Sequence, residues 1–180
     1  MDLCEHFRRM AENNLWANDR LYRAVLALGP GEFEETRTSF FPSLRETLDH
    51  ILRVDLFYLD MLEEGGEGLA LFERVQPFHD RHVMAREQAA ADRRLLSFCA
   101  RLNTADLDRR VPTDRGENGV IPERIGDLLA HLFQHDIHHR GQVHAMLAGT
   151  SVKPPQLDEY FLDFDRELRR EEVARLQLPS

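Results

Sequence analysis

Cysteine is scarce in this sequence: only Cys4 and Cys99 occur, far apart and outside any CxxC pattern. That excludes a disulfide framework and a thiolate metal site, and it fits a reducing compartment. Long apolar runs are missing as well. The stretch MDLCEHFRRM is charged throughout, unlike a signal peptide, and no later segment approaches the roughly 18 unbroken apolar residues of a membrane span. A cytoplasmic protein with no membrane partner is expected. Positive charge is in deficit, with 32 Asp and Glu against 23 Lys and Arg and a formal charge of −9. No run of Lys or Arg can follow a phosphate backbone, so nucleic acid is not an expected partner. Repeats, low-complexity tracts and shifts of composition are also absent, and residues 1–180 read as a single domain.

What remains is a chain of helices divided by breakers. Phe7, Met10, Asn14, Ala17, Leu21, Ala24 and Leu28 follow a helical period over about residues 3–28, and Gly29-Pro30-Gly31 ends the run. Ser43 and Glu46 form a capping-box pattern that predicts a second helix, stopped by Gly65-Gly66. Two apolar stripes on it, one with Leu44, Leu48, Leu52, Leu59 and Leu62 and one with Val54, Phe57 and Met61, predict burial on more than one side. A third helix is expected over about 80–103 and a long connection, with a short extended turn, over 104–122. The fourth helix should begin near Pro122, a residue tolerated in a first turn, and stop at Gly149. After Pro154-Pro155, Leu157, Tyr160, Phe161 and Phe164 can pack back on the helices, and the charged tail forms a further helix or a frayed end. Four long helices with no convincing strand predict an all-α four-helix bundle with additions.

Nine histidines are present, and His131, His135, His138, His139 and His144 crowd into the fourth helix. Two histidines four residues apart lie one turn apart on one face and can both reach one ion at about 2.0–2.1 Å. His131/His135 and His135/His139 have that spacing, and His135/His138 has the feasible three-residue one, so spacing alone does not choose. The apolar stripe does. Ile125, Leu128, Leu129, Leu132, Val143, Met146 and Leu147 mark the core direction. His139 points into this stripe and His135 lies on its shoulder, while His131, His138 and His144 are turned away. A three-ligand site needs a group from another helix, and His50, on the stripe of Val54, Phe57 and Met61, is the best candidate. The plainer alternative is a hydrogen-bonded core histidine beside a chance pair. Asp49, Asp136 and Gln142 are candidates for groups behind the ligands, or ordinary polar residues. Arg140 could hold an anionic substrate group, but it points away from the apolar stripe, which favours pairing with a carboxylate or a second subunit instead. Trp16 and Tyr22 fill the core or a dimer seam.

The segments WANDRLY at 16–22, FFPSLRETLDHIL at 40–52, HLFQHDIHHRGQVHAML at 131–147 and PPQLDEYFLDF at 154–164 together resemble the DinB/YfiT-like family of metalloenzymes, in family order. The resemblance spans nearly the whole chain. It implies an up-down-down-up four-helix bundle with a short carboxy-terminal extra helix, and a metal triad carried over onto His50, His135 and His139. It also implies a divalent cation, zinc or nickel, a homodimer, and a small-molecule substrate. Some distant relatives are transferases that use a small thiol, so a metal-dependent transferase activating a low-molecular-weight thiol is the expected function. A metal-dependent hydrolase, or a non-catalytic metal-binding stress-response protein, is the alternative. One departure is Gln134, where many relatives carry Asn before the middle histidine.

Overall fold

The computed structural model describes residues 2–179. Helix α1 spans Leu3–Leu26, capped by Asp2, whose carboxylate accepts from the Glu5 N–H at 2.8 Å. Helix α2 spans Leu44–Leu62. Its Ser43 hydroxyl accepts from the Glu46 N–H at 3.1 Å, as the capping pattern predicts, but the Glu46 carboxylate turns to that hydroxyl, at 2.8 Å, rather than to the Ser43 backbone. A short α3, Ala70–Arg74, leads to α4, Arg81–Arg101, which starts where the Asp80 carboxylate accepts from the His82 and Val83 N–H groups at 2.7 and 3.1 Å. Helix α6 spans Ile125–Leu147 and α7 spans Arg166–Leu176.

Two expectations need correcting. The connection over 104–122 is largely ordered secondary structure: α5, Thr104–Asp108, followed by an antiparallel ribbon of β1, Arg110–Asp114, and β2, Val120–Arg124. Pro122 therefore stands in a strand and not in the first turn of α6. It sits opposite Pro112 in the register, a cross-strand position where neither residue is asked for an N–H.

Side-chain contacts give the direction of each long helix. Phe7 stacks on Phe133 and Arg140 bonds Asn14, so α1 and α6 run parallel. Asn18 bonds Asp92 while Arg81 bonds the Leu28 carbonyl, so α4 runs against α1. Gln88 bonds Asp55 and Arg94 bonds Glu63, which makes α2 parallel to α4. The order is up-down-down-up. Helices α1 and α2 each pack on both α4 and α6 and so stand at opposite corners of the bundle. The core between them includes Leu21, Leu48, Leu52, Met84, Leu129 and Leu132.

A smaller apolar cluster lies outside the bundle, where Tyr160, Val173, Leu176 and Leu178 cover Leu15, Trp16 and Ala17 of α1. Trp16 is fully buried there, its indole N–H donating to Glu172 of α7 at 2.8 Å. Tyr160 packs as the sequence suggests, but Phe161 and Phe164 stay exposed. No helix among the described residues is long and apolar enough to cross a membrane.

Candidate metal centre

Helices α2 and α6 run antiparallel, and their contact brings His50 of α2 against His135 and His139 of α6. One ligand nitrogen from each ring can be chosen so that all three lie within 4.8 Å of one another. Ring centroids are 4.9 Å apart for His50 and His135, 4.6 Å for His50 and His139, and 4.5 Å for His135 and His139. His139 is buried and the other two are half-buried, so the cluster sits at the rim of the bundle, open on one side. Phe41, in the turn before α2, lies 4.4 Å from the His50 ring and 5.8 Å from that of His139 and covers part of the opening.

The tightest contact is between His50 Nε2 and His135 Nε2, at 2.9 Å. Two lone pairs repel at that distance, so a proton has to lie between them, and a cation can take the same place. Tetrahedral bonds of about 2.0–2.1 Å would set ligand nitrogens about 3.3 Å apart, so these two rings need open by only a few tenths of an ångström. Such a change lies within the soft χ2 torsion of histidine.

The surroundings favour neutral rings. Burial first, then His135, His139 and Arg53, push the His50 imidazolium down to about 4. Burial also lowers His139, partly offset by Gln142, whose Oε1 lies 2.9 Å from His139 Nδ1. With Nδ1–H donating to that amide, the His139 Nε2 keeps its lone pair, the arrangement that orients ligand histidines generally. Asp136 Oδ1 stands 3.4 Å from His135 Nδ1, a longer contact of the same kind.

The remaining candidates fall elsewhere. His138 is exposed, 3.2 Å from the Gln142 amide nitrogen and with its ring centroid 4.8 Å from that of His139; His144 bonds the Pro155 carbonyl at 2.9 Å. His131 lies one turn from His135, its ring 5.4 Å from Tyr58, and is exposed. Asp49 is a structural clamp, accepting from the Phe78 N–H at 2.7 Å and lying 3.9 Å from Arg53.

Arg140 overturns its expectation: it is buried and points into the bundle, bonding the side-chain oxygens of Asn14 and Asn18. Asp136, one turn before it, is fully buried on the same side. Around them stand Asp55, Gln88 and Asp92, a polar network that the sequence reading missed. Asp92 accepts from Asn14, Asn18 and Gln88 at 2.9–3.2 Å, and burial pushes its carboxyl up to about 7. Burial, with Asp136 and Asp92 adding to it, holds Asp55 well above the carboxylate range. Asp55 Oδ1 and Asp136 Oδ2 have no donor; they can bond each other only when one of the two carboxyls carries a proton.

An up-down-down-up helical bundle with a rim cluster of three histidines from two helices is the class that fold and geometry define. The DinB family profile matches residues 3–170, and the chain belongs to that family. It is 24% identical over 161 residues to protein DinB of Bacillus subtilis (strain 168), covering 84% of this chain and 91% of that one. It also superimposes on the crystal structure of a DinB-like protein from Bacillus subtilis with a TM-score of 0.58 at 16% identity, covering 81% of this chain and 96% of the other.

Proposed function

We propose that His50, His135 and His139 bind a divalent cation, zinc or nickel, and that the protein is a metal-dependent enzyme, a transferase acting with a small thiol. The observation that carries the metal reading is the convergence of three ring nitrogens from two helices, in surroundings that keep His50 and His139 neutral. A cation held by three neutral imidazoles keeps its full positive charge and supplies Lewis acidity, which favours the thiolate over the thiol at neutral pH. The chain supplies orientation and shelter. Gln142 fixes the tautomer of His139, Asp136 stands behind His135, and Phe41 screens two of the three rings from water. The open side of the cluster is where a substrate can approach. The thiol and the transfer chemistry rest on family membership; hydrolysis is the competing reaction.

Metal analysis of purified, untagged protein tests the site. A stoichiometric ion is expected in the wild type, lost in His135→Ala and His139→Ala and kept in His138→Ala. Retention in the first two variants would sink the assignment. Thiol-dependent consumption of an electrophile, without hydrolysis, separates transferase from hydrolase.

A further inference from the structure

Asp136 stands behind His135 with one oxygen only. Its Oδ1 lies 3.4 Å from His135 Nδ1, while Oδ2 is buried and has no hydrogen-bond donor among the described residues. Asp55 of α2 mirrors it. Its Oδ2 accepts from the Gln88 amide at 2.6 Å, and its Oδ1 is likewise buried without a donor. The two carboxyls are within hydrogen-bonding reach of each other. They belong to the two helices that carry the histidines, Asp55 little more than a turn after His50 and Asp136 next to His135, and both are more deeply buried than those two rings.

The neighbouring donors are engaged elsewhere. Gln88 Nε2 serves Asp55 Oδ2 and, at 3.1 Å, Asp92; the Asn14 and Asn18 amides go to Asp92, and Arg140 goes to the side-chain oxygens of the same two asparagines. What is left to join Asp55 Oδ1 and Asp136 Oδ2 is a proton on one of the two carboxyls. Burial, then the charges of Asp136 and Asp92, hold Asp55 well above the carboxylate range, which puts the proton there. A charged Asp136 then makes the stronger bond to an imidazole N–H. His135 turns its Nε2 towards His50, at 2.9 Å, so Nδ1 is the nitrogen that faces Asp136.

We propose that Asp55 is a positioning residue for the candidate metal centre, its carboxyl donating to Asp136 Oδ2 so that Asp136 Oδ1 holds the hydrogen on His135 Nδ1 and leaves the Nε2 lone pair for a cation. The inference rests on the metal reading of the three histidines and adds a residue that acts on a ligand through another side chain. A plain core role for Asp55 would need only its bond to Gln88 and would be indifferent to the tautomer of His135.

Heteronuclear NMR of the metal-free full chain reads both the His135 tautomer and the Asp55 carboxyl. In the wild type at neutral pH, His135 should carry its hydrogen on Nδ1 and Asp55 should be protonated. A hydrogen on Nε2 alone, or an ionised Asp55, would overturn the proposal without any substitution. Asp55→Asn keeps a donor for Asp136 and an acceptor for Gln88, whereas Asp55→Leu removes both at similar size. Asp55→Asn should retain the wild-type tautomer and zinc affinity. In Asp55→Leu the tautomers should mix, and zinc affinity, measured by competition with a chelator, should fall about 10–100-fold, the range for loss of a group behind a ligand. Urea unfolding shows whether each variant is folded; if Asp55→Leu is not, the wild-type spectra and Asp55→Asn decide, and a changed tautomer in Asp55→Asn counts against the proposal. Equal zinc affinity in wild type and Asp55→Leu, or an equal loss in Asp55→Asn and Asp55→Leu, would overturn the role of Asp55 and leave the metal site standing. A wild type that binds no zinc would instead overturn the metal reading on which this role rests.

Discussion

Arg140 carries a positive charge into a core that already holds Asp55, Asp92 and Asp136. Substituting Arg140→Met removes that charge and leaves the side-chain oxygens of Asn14 and Asn18 without their donor. Breaking a buried ionic arrangement costs about 3–5 kcal/mol, and the lower end is expected because Asp55 and Asp92 already favour the protonated form. Urea unfolding of the variant checks this, and a loss below about 1 kcal/mol would show that Arg140 is dispensable. The histidine cluster titrates separately. An unfolded histidine protonates near 6.5, whereas His50 in the fold is held down to about 4. Between those values the unfolded chain binds more protons, so the stability His50 contributes is complete above about 6.5 and is lost as pH falls towards about 4. Asp92, raised to about 7, acts in the opposite direction over much of that window. The expected signal is therefore a difference: metal-free wild type should lose stability relative to His50→Ala as pH drops from 6.5 to 4. A flat difference curve from urea titrations would remove burial as the cause. At this scale the sequence was readable wherever a residue obeyed the apolar stripe. His139 in the stripe is buried, and His131 and His138 off it are exposed. Arg140 was misread because helical periodicity assigns charged residues to the outside. The sign pointing the other way was Asn14, a polar residue on the apolar stripe of α1.

Long helices with an apolar stripe were legible, α6 even without a side-chain cap, and short elements were not, even where a cap is present, as in the Asn103–Asp106 capping box of α5. Asp80 and Ser43 start α4 and α2 with side chains visible in the sequence. The ribbon of β1 and β2 has neither length nor clean alternation; two prolines and two glycines gave the look of a loop. It is held instead by Val111 and Thr113, buried against the bundle. Helix α3 has five residues and a single buried one, Leu71, too little for any periodic signal. Among the caps, Ser43 bears most directly on the candidate site, because it fixes the first turn of α2 between Phe41 and His50. Ser43→Ala should cost about 1 kcal/mol. Thermal unfolding checks the loss; no change would mean that the Thr47 hydroxyl and N–H, both bonded to the Ser43 carbonyl at 2.8 and 3.1 Å, suffice to start the helix.

Across the whole molecule the histidines lie on helices that are far apart in the chain and adjacent in space. The up-down-down-up order sets α2 against α6, so that residue 50 meets residue 135 across an antiparallel contact. A cation bound there is a cross-link between the first and second halves of the chain, present in the folded state and absent from the unfolded one. Its effect on stability follows from mass action: at a free metal concentration a hundred times the dissociation constant, it adds about 2.7 kcal/mol. For a chain of this length that corresponds to a rise in Tm of about 5–10 °C. Scanning calorimetry of chelator-treated protein, before and after adding zinc or nickel, should show this rise in the wild type and in His138→Ala. It should vanish in His139→Ala, where one strut of the cross-link is missing. A rise that persists in His139→Ala would place the metal elsewhere on the molecule, and no rise in the wild type would mean that these three rings form a hydrogen-bonded cluster and nothing more.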